Sequence, residues 1–151
     1  MTEFVEKIIV SAAPEKVWQA LSDIGNIYLW NPGVVHSEMT TLGNVDIGAS
    51  RRCDLGSNNY LVEEIVEFEK PHKLTMRITD TNMPFRTADI RFFLEPQDGQ
   101  SLVKVSPKYD LKYGWFGRIL DLLVVQSHYR KGMRSLLLGL KQYVEKKGEN
   151  S

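Results

Sequence analysis

Five ionisable side chains in predicted strands and in the predicted final helix are the candidates for chemistry. They are Arg52, Glu64, Arg77, Arg91 and His128. If one of them is directed inward, it becomes a buried ionisable group that needs a partner, which is typical of a proton-transfer site. Glu64 ranks first because it alternates with Val62 and Val66, which places it on an apolar face at strand period. Arg52 and His128 follow as candidates, and a solvated outward position is the alternative for each of the five.

Metal binding and nucleophilic catalysis lack the residue spacing that they need. The three histidines, His36, His72 and His128, are dispersed, and no two stand four residues apart as ligands on one helix face. Cys53 is the only cysteine and has no neighbouring base in sequence, so an inert thiol is the default. The chain has no Gly-x-Ser-x-Gly sequence and no glycine-rich phosphate loop. We therefore expect no metal and no cofactor, whereas acid–base chemistry in a cavity stays open.

Several large and adaptable side chains are suited to the wall of an apolar pocket. They are Trp30, Met76, Tyr109, Tyr129 and Met133. Methionine fills irregular shapes, and tyrosine and tryptophan combine a large apolar body with one hydrogen-bond donor. Ordinary core packing is the alternative for each residue, and the group together favours a binding pocket more than any one member does.

The N-terminal part of the chain predicts one strand and two short helices. Residues 4–10 are rich in β-branched side chains and predict a strand. Pro14 is suited to the first turn of a helix because it has no N–H to leave unpaired, and the apolar spacing extends that helix over residues 14–22. A second short helical turn over residues 27–30 ends near Pro32.

Short turns divide the middle of the chain into six further strands. The predicted strands are Val34–Leu42, Ser50–Leu55, Tyr60–Phe68, Lys73–Thr79, Phe85–Leu94 and Leu102–Leu111. Connections this short require antiparallel neighbours. From Trp115 to about Lys147 the apolar spacing is helical and no proline intervenes, so one long helix ends the chain.

These elements predict an α+β fold in which the terminal helix fills the concave side of the sheet. A curved seven-stranded antiparallel sheet wraps around the long C-terminal helix, and the two short helices lie between strands 1 and 2. Because a strongly curved sheet cannot lie flush on a straight helix, we expect either large side chains or a cavity of roughly 300 Å³ or more between them.

Length and charge limit the classes of partner. The chain has 151 residues with 19 basic and 19 acidic side chains, which predicts one domain over residues 1–151 and argues against a dedicated nucleic-acid binder. The N-terminus has acids where a signal peptide needs bases, and the most apolar stretch, Ile119–Val125, is too short to span a bilayer. We expect a cytoplasmic protein without a transmembrane segment, whose partner is a small apolar molecule.

Four stretches of the chain carry a family resemblance. They are Ala13-Pro14-Glu15-Lys16-Val17-Trp18, Trp30-Asn31-Pro32-Gly33, Pro71-His72-Lys73-Leu74 and Trp115-Phe116-Gly117-Arg118-Ile119-Leu120-Asp121. With these, nearly the whole chain resembles the polyketide cyclase/dehydrase-like group of the START/Bet v 1-like (SRPBCC) superfamily. The resemblance implies the same arrangement, known as the helix-grip fold. It also implies either binding of a lipid, sterol, quinone or polyketide, or an enzyme that acts on such a molecule.

The start of the final helix is apolar nearly all round. Ile119 and Leu122 fall on the predicted inner arc, whereas Leu120, Leu123 and Val124 fall outside it. A helix that is apolar on all sides must be covered on all sides. We expect a second apolar partner for this segment: the short helices and the loops beside them are the nearest candidates, and a dimer partner or a membrane surface is the alternative.

Three functional hypotheses follow. The first is a binding module that carries or sequesters a small apolar molecule between the sheet and the helix. The second is a cyclase- or dehydrase-type enzyme in which Glu64, Arg52 or His128 moves a proton in the same cavity. The third is a protein-interaction module that uses the apolar start of the final helix. At most one inward polar group favours carriage, and a convergent pair within hydrogen-bond reach favours catalysis.

Overall fold

One curved antiparallel sheet organises the chain; strands β3 to β8 are neighbours in sequence order, and the two N-terminal strands pair with the last one. The computed structural model describes residues 1–149. Its strands are β1 (Thr2–Glu3), β2 (Glu6–Val10), β3 (Val34–Met39), β4 (Ser50–Leu55), β5 (Tyr60–Glu69), β6 (Lys73–Thr81), β7 (Phe85–Gln97) and β8 (Gln100–Leu111). They pair in the order β1-β8-β7-β6-β5-β4-β3, and β2 also pairs with β8. The predicted α+β helix-grip fold is confirmed.

The first predicted strand, residues 4–10, begins two residues later in the structure, as β2. The additional strand β1 precedes it, both pair with β8, and the break between them lies at Phe4 and Val5. Phe4 turns into the core there and is almost fully buried, whereas Val5 is exposed. The eight strands of residues 1–149 are therefore the seven that the sequence predicts and the two-residue strand β1, which it does not predict.

Two short helices close one end of the curved sheet. Helix α1 (Pro14–Ser22) begins with its proline, and Val17, Trp18 and Leu21 are buried on its inner side. A 3₁₀ helix (Ile24–Leu29) follows and buries Ile24 and Ile27. Both helices lie between β2 and β3, where the sequence predicts them.

The C-terminal helix consists of three consecutive parts. They are α2 (Gly114–Leu120), a wide turn (Asp121–Val125) and α3 (Gln126–Glu149). In the wide turn the amide of Gln126 donates to the carbonyl of Asp121, so this turn holds one residue more than an α-helical turn. Leu136, Leu137, Leu140 and Val144 of α3 are buried against the sheet.

The extra residue in the wide turn rotates α2 relative to α3 by roughly the angle of one residue, about 100°. Gly117 and Asp121 consequently face the sheet. Ile119 and Leu122 are 46% and 78% exposed, so their predicted inward position is wrong. A regular 3.6-residue period cannot anticipate an inserted residue.

The apolar start of the C-terminal helix is not covered by any other part of residues 1–149. Leu120, Leu123 and Val124 are 37%, 74% and 53% exposed. The prediction that the short helices cover this segment is therefore wrong, because those helices pack near the other end, where the carbonyl of Trp30 faces Gly139 of α3. Within residues 1–149, no helix is long and apolar enough to cross a membrane.

Candidate functional site

A cavity of about 580 Å³ lies between the inner face of the sheet and the C-terminal helix. Its wall is mostly apolar, with Ile27, Val34, Leu55, Leu61, Ile78, Phe85, Ala88, Ile90, Leu111, Val125, Met133 and Leu136. This volume exceeds the roughly 300 Å³ expected from the mismatch between a curved sheet and a straight helix, and it suits a small organic molecule. Exposed members of the wall, among them Val124, His128 and Asn82, mark where the cavity opens.

Strand parity places one ion pair in this apolar wall. Arg51 on β4 and Glu63 on β5 are directly opposite each other across the two strands, and both point inward. Nη2 of Arg51 lies 3.3 Å from Oε1 of Glu63, and the two side chains are only 4% and 9% exposed. Charges this deeply buried occur in proteins when they are paired. The pair is therefore the strongest polar feature of the cavity.

Arg51 is held from two sides and retains one unused donor. Its Nη1 donates to the carbonyl of Ile24 at 3.1 Å, and its Nη2 donates to Glu63. Its buried Nε–H has no partner among the described residues. Within residues 1–149, the Glu63 carboxylate accepts a side-chain hydrogen bond only from Arg51. Both members of the pair thus keep hydrogen-bonding capacity beyond the bond that joins them.

Tyr129 on α3 contributes the phenol group of the cavity. Its ring stacks on Tyr109 with a centroid distance of 5.0 Å and makes edge contacts with Phe4 and Phe85. Burial, with a smaller effect of the Glu63 charge, raises the pKa of Tyr129 well above its ordinary value. The hydroxyl therefore stays protonated at neutral pH and can act as a hydrogen-bond donor to a bound molecule.

Other polar residues of the wall are already engaged in the protein. The Asn82 side chain accepts from the amide of Tyr60 and donates to the carbonyl of Asn58, both at 2.9 Å. Asp89 forms a two-pronged ion pair with Arg77, at 2.9 and 3.0 Å. The Asn82 contacts join two turns, and the Asp89 pair joins β6 to β7. Asn31, Asn59 and His128 also line the cavity, whereas Arg51, Glu63 and Tyr129 are the polar groups that combine burial with unused hydrogen-bonding capacity.

Cys53 also lines the cavity, and its chemistry is suppressed. Burial raises the pKa of its thiol to about 11, and the neighbouring Arg51 only partly offsets this effect. A thiol that remains protonated at neutral pH is a poor nucleophile. Cys53 acts here as a small apolar wall residue.

The five predicted pocket residues divide between the wall and the layer behind it. Tyr129 and Met133 are in the wall. Trp30, Met76 and Tyr109 are buried but are not among the residues that line the cavity. Tyr109 lies one layer behind, because its ring supports Tyr129 while its hydroxyl donates to Asp121. Direct ligand contact by these three is therefore not what the geometry indicates.

The predicted catalytic candidates are not brought together. Arg52 lies on the outer face of the sheet, where it pairs with Asp54 at 3.1 Å and covers the ring of Tyr60. Glu64 also lies on the outer face, opposite Arg77 of β6. Only His128 reaches the cavity, at its exposed edge.

The parity assigned to Glu64 is wrong by one residue. Val62 and Val66, which suggested an apolar inner face, are half-buried on the outside, and the inner face of β5 carries Leu61, Glu63 and Ile65. The missed pair had a sequence signal. Arg51 stands two residues before Cys53, and Glu63 stands two residues before Ile65, so each shares a strand face with an apolar residue. The side chains of Cys53 and Ile65 are both buried.

In the described part of the chain, no group of three or more histidine, cysteine, aspartate or glutamate side chains is placed to hold a metal ion. The polar groups described in this apolar cavity are the guanidinium of Arg51, the carboxylate of Glu63 and the phenol of Tyr129.

Comparisons with solved structures agree with the architecture. A protein of Thermus thermophilus aligns with a TM-score of 0.82 at 20% identity, over 97% of this chain and 99% of that chain. The Zhui aromatase/cyclase from a Streptomyces species aligns with a TM-score of 0.83 at 12% identity, over 97% and 94%. A START superfamily protein from Mycobacterium smegmatis aligns with a TM-score of 0.76 at 17% identity, over 95% and 97%. At these identities the likeness establishes the fold.

The sequence itself identifies the family. A search of curated proteins found no significant match. Residues 1–145 match the family described as polyketide cyclase / dehydrase and lipid transport, which covers nearly the whole chain. This match establishes that the chain belongs to the polyketide cyclase / dehydrase and lipid transport family, and the helix-grip fold and the cavity agree with it.

Proposed function

We propose that this protein binds a small, mostly apolar molecule with one polar end, and that it carries or sequesters this molecule in the cavity. The observation that carries the proposal is an apolar cavity of about 580 Å³ with a single buried ion pair in its wall. Pockets for small molecules are mostly apolar and use a few polar groups to fix the orientation of the ligand. A lipid, sterol, quinone or polyketide-like molecule fits this description.

The ion pair and Tyr129 set the polarity that the ligand needs. Arg51 and Tyr129 offer donors to a carbonyl, hydroxyl or carboxylate oxygen, and Glu63 accepts from a hydroxyl. A fully apolar ligand would leave these groups without a new partner, whereas a ligand with one oxygenated end would match them. We therefore expect the oxygenated end to lie beside β4 and β5 and the apolar part to extend between β7 and α3.

A cavity-filling variant tests this binding mode. Met133 lines the cavity, so Met133→Trp should weaken the binding of the fluorescent probe 8-anilinonaphthalene-1-sulfonate by about tenfold or more. Leu138→Trp is the matched control, since Leu138 is 49% exposed on the same helix and is not in the cavity wall. The unfolding midpoints of both variants show whether each is folded. Equal probe binding by wild type and folded Met133→Trp would exclude this cavity as the binding site.

Native mass spectrometry of the protein purified from its own cells tests the chemistry of the ligand. We expect a bound species with a long or polycyclic apolar part and at least one oxygen. Arg51→Met should release it or weaken its binding, because an oxygen partner is lost while the apolar wall is kept. A retained charged metabolite without an apolar part would contradict the proposal.

A cyclase or dehydrase activity is the second candidate. Arg51 and Glu63 form a convergent pair within hydrogen-bond reach, and Tyr129 lines the same cavity. In this mechanism the Glu63 carboxylate removes a proton from the carbon between two carbonyl groups. The Tyr129 hydroxyl then donates a hydrogen bond to the oxygen on which negative charge develops. The family description, which includes cyclases, dehydrases and lipid transport, is compatible with either function.

The Arg51–Glu63 pair meets the geometric criterion that favours catalysis, yet we prefer carriage because its groups are poorly suited to proton transfer. The carboxylate of Glu63 is already bound by a guanidinium that stays protonated and so cannot act as an acid or a base, and the Tyr129 pKa is raised rather than lowered. A synthetic tetraketide thioester discriminates the two functions. Cyclisation above the uncatalysed rate, abolished by Glu63→Gln but not by Glu64→Gln on the outer face, would establish the enzyme. Tight binding without turnover would support carriage.

A further inference from the structure

The start of the C-terminal helix exposes an unusual number of large apolar side chains. Eight of the twelve residues from 113 to 124 are large, apolar and exposed, and the most exposed are Leu122, Leu123 and Trp115, at 78%, 74% and 73%. We call residues 113–124 the apolar collar. Scattered single apolar residues on a surface are ordinary, but a contiguous group of this kind marks an interaction site.

The collar is held with its apolar side outward by specific contacts underneath it. Asp121 is buried and accepts hydrogen bonds from the hydroxyl groups of Tyr109 and Thr2. Gly117 packs so closely on the backbone of Lys112 that a Cβ there would lie 2.5 Å from the carbonyl oxygen. One polar anchor and one close backbone contact therefore determine which face of the segment is inside. The exposure of the leucines follows from this anchoring.

The exposed charges of residues 112–124 are basic. The one acidic side chain of this stretch, Asp121, is buried under the collar. The neighbouring Asp110 forms an ion pair with Arg86, and Arg130 and Arg134 further along the helix pair with Glu6. Lys112 and Arg118 are exposed within or next to the collar itself. An apolar surface with aromatic residues and flanking cations is typical of a segment that lies in the interface of an anionic bilayer.

A second copy of this chain fits the collar less well. A two-fold contact brings the same patch of both copies together, so Lys112 and Arg118 of one copy would meet a patch that carries the same two cations. Residues 112–124 offer no exposed acid to neutralise them, and the neighbouring Asp110 is already paired with Arg86. Like charges across an interface disfavour association. Anionic lipid headgroups supply the missing negative charge.

The collar also borders the opening of the cavity. Val124 belongs to both, since it is 53% exposed in the collar and lines the cavity, and the next residue, Val125, continues the cavity wall. A surface that contacts the collar would therefore lie beside the route by which an apolar molecule enters.

We propose that the apolar collar docks this protein on the surface of an anionic lipid bilayer, with the cavity opening beside the docked surface. Trp115, Leu122 and Leu123 enter the boundary between headgroups and acyl chains, and Lys112 and Arg118 contact the anionic headgroups. The docking goes beyond the proposed binding function, because it requires only the outer side of the helix.

Trp115 provides a direct probe of docking in the unmodified protein. Of the three tryptophans, Trp18 and Trp30 are buried and Trp115 is exposed. Vesicles of phosphatidylcholine that contain about 30% phosphatidylserine should shift the tryptophan fluorescence emission of the wild-type protein to shorter wavelength. They should also protect this fluorescence from quenching by acrylamide. The response should be several-fold weaker with vesicles of phosphatidylcholine alone. It should also be several-fold weaker with anionic vesicles in about 0.5 M NaCl, which is roughly three times physiological ionic strength. No response to anionic vesicles overturns the proposal, and so does a response independent of lipid charge and salt.

Matched variants locate the contact. Leu123→Glu should reduce flotation with anionic vesicles by about tenfold or more, because a leucine that enters the bilayer is replaced by a charge of the wrong sign. Lys112→Glu should reduce it by about fivefold or more. Leu138→Glu, fifteen residues further along the helix at a position that is 49% exposed, should have little effect. Flotation of folded Leu123→Glu equal to that of wild type overturns the proposal.

Two further measurements separate the alternatives. Sedimentation of the wild-type protein without lipid should show a monomer. If it shows instead a dimer that Leu123→Glu dissociates, and if the protein does not float with vesicles, then the partner of the collar is a second copy of the chain and not a bilayer. Leu123→Glu should still bind the anilinonaphthalene probe in solution, since Leu123 is not in the cavity wall. Lost flotation with retained probe binding therefore tests docking separately from ligand binding.

Discussion

The first third of the C-terminal helix is more apolar in sequence than the rest, yet the rest is the part that is buried. α3 contributes Leu136, Leu137, Leu140 and Val144 to the core, whereas the collar leaves Leu122 and Leu123 in solvent. α3 lies over the inner face of the sheet, which offers apolar partners along its length. In the collar, by contrast, only Gly117 and Asp121 are buried. Hydrophobicity alone therefore does not determine burial. A segment is buried when the rest of the fold offers it an apolar surface to pack against.

The two regions are also anchored by different forces. α3 is held by apolar burial and by close backbone contact at Gly139. The collar also has a close backbone contact, at Gly117, but in place of apolar burial it is held by the hydrogen bonds of Asp121 with Tyr109 and Thr2. Apolar burial fixes a helix over many residues, whereas a single polar anchor leaves the outer face free for another partner. The four predictions below test this contrast, beginning with the largest effect.

Gly139→Ala should be the most damaging single substitution in the C-terminal helix. A Cβ at this position would lie 2.0 Å from the carbonyl oxygen of Trp30, so the helix and the segment after the 3₁₀ helix must separate. We expect a loss of about 4 kcal/mol or more in the free energy of unfolding, measured with urea. Gly132→Ala is the control. Nothing lies within 4 Å of its Cβ, and alanine should raise helix stability by about 0.5–1 kcal/mol.

Truncation of one leucine in each region should give very different results. Leu140 is fully buried, and Leu140→Ala should lower the free energy of unfolding by about 3 kcal/mol. Leu123 is 74% exposed, and Leu123→Ala should change it by less than about 0.5 kcal/mol. Both values come from the same urea titration. Similar losses at the two positions would contradict the contrast, because they would mean that the collar is covered in solution.

Removal of the collar's anchor should loosen the collar and leave α3 intact. Asp121→Ala leaves the buried hydroxyl of Tyr109 and that of Thr2 without their acceptor, which costs about 2 kcal/mol. Amide hydrogen exchange should accelerate across residues 114–125 more than across residues 133–144. Tyr109→Phe should have a smaller effect of about 1 kcal/mol, since Asp121 keeps Thr2 as a donor. Uniform acceleration along the whole helix would show that the two regions form one cooperative unit.

Alkaline pH should act on the same anchor with the smallest effect. Burial, and next the hydrogen bond to Asp121, raise the pKa of Tyr109 above its ordinary value of 10.0. The neutral form is therefore favoured in the folded state, so its contribution is fully present below pH 10 and is lost as the pH rises above the pKa of the unfolded chain. Tyr109→Phe should make this decline shallower by at most about 1.4 kcal/mol per pH unit. Identical slopes for wild type and variant above pH 10 would contradict the raised pKa.

Elements and their order could be predicted because they depend on local patterns. The proline at the start of α1 and the Asp98-Gly99 turn between β7 and β8 are local signals, and both residues of that turn adopt the positive φ angles that such hairpins require. The cavity could be predicted as well, because it follows from the geometric mismatch between a curved sheet and a straight helix. These inferences needed no knowledge of which residues meet.

The polar pair in the cavity could not be assigned with the same success. A strand pattern with apolar residues on both faces leaves its parity open, and β5 has Val62 and Val66 on the outer face against Leu61 and Ile65 on the inner face. The pattern favours Glu64 for this reason, although Glu63 is the inward residue. A shift of one residue moves a side chain from solvent to the cavity, so the error changed the site without changing the fold.

By itself the sequence determined the α+β class, the antiparallel order of the strands, the long final helix and the apolar character of the collar. Each of these depends on periodicity and turn residues within short stretches of chain. Only the tertiary structure decided that Arg51 faces Glu63, that Tyr109 supports Tyr129 from behind, and that the described residues leave the collar exposed. Those facts depend on strand register and on one extra residue in the turn at Asp121–Val125. Both determine which side chains, far apart in sequence, point toward each other. Local patterns cannot set such facing, because the free energy that selects it comes from contacts between distant segments.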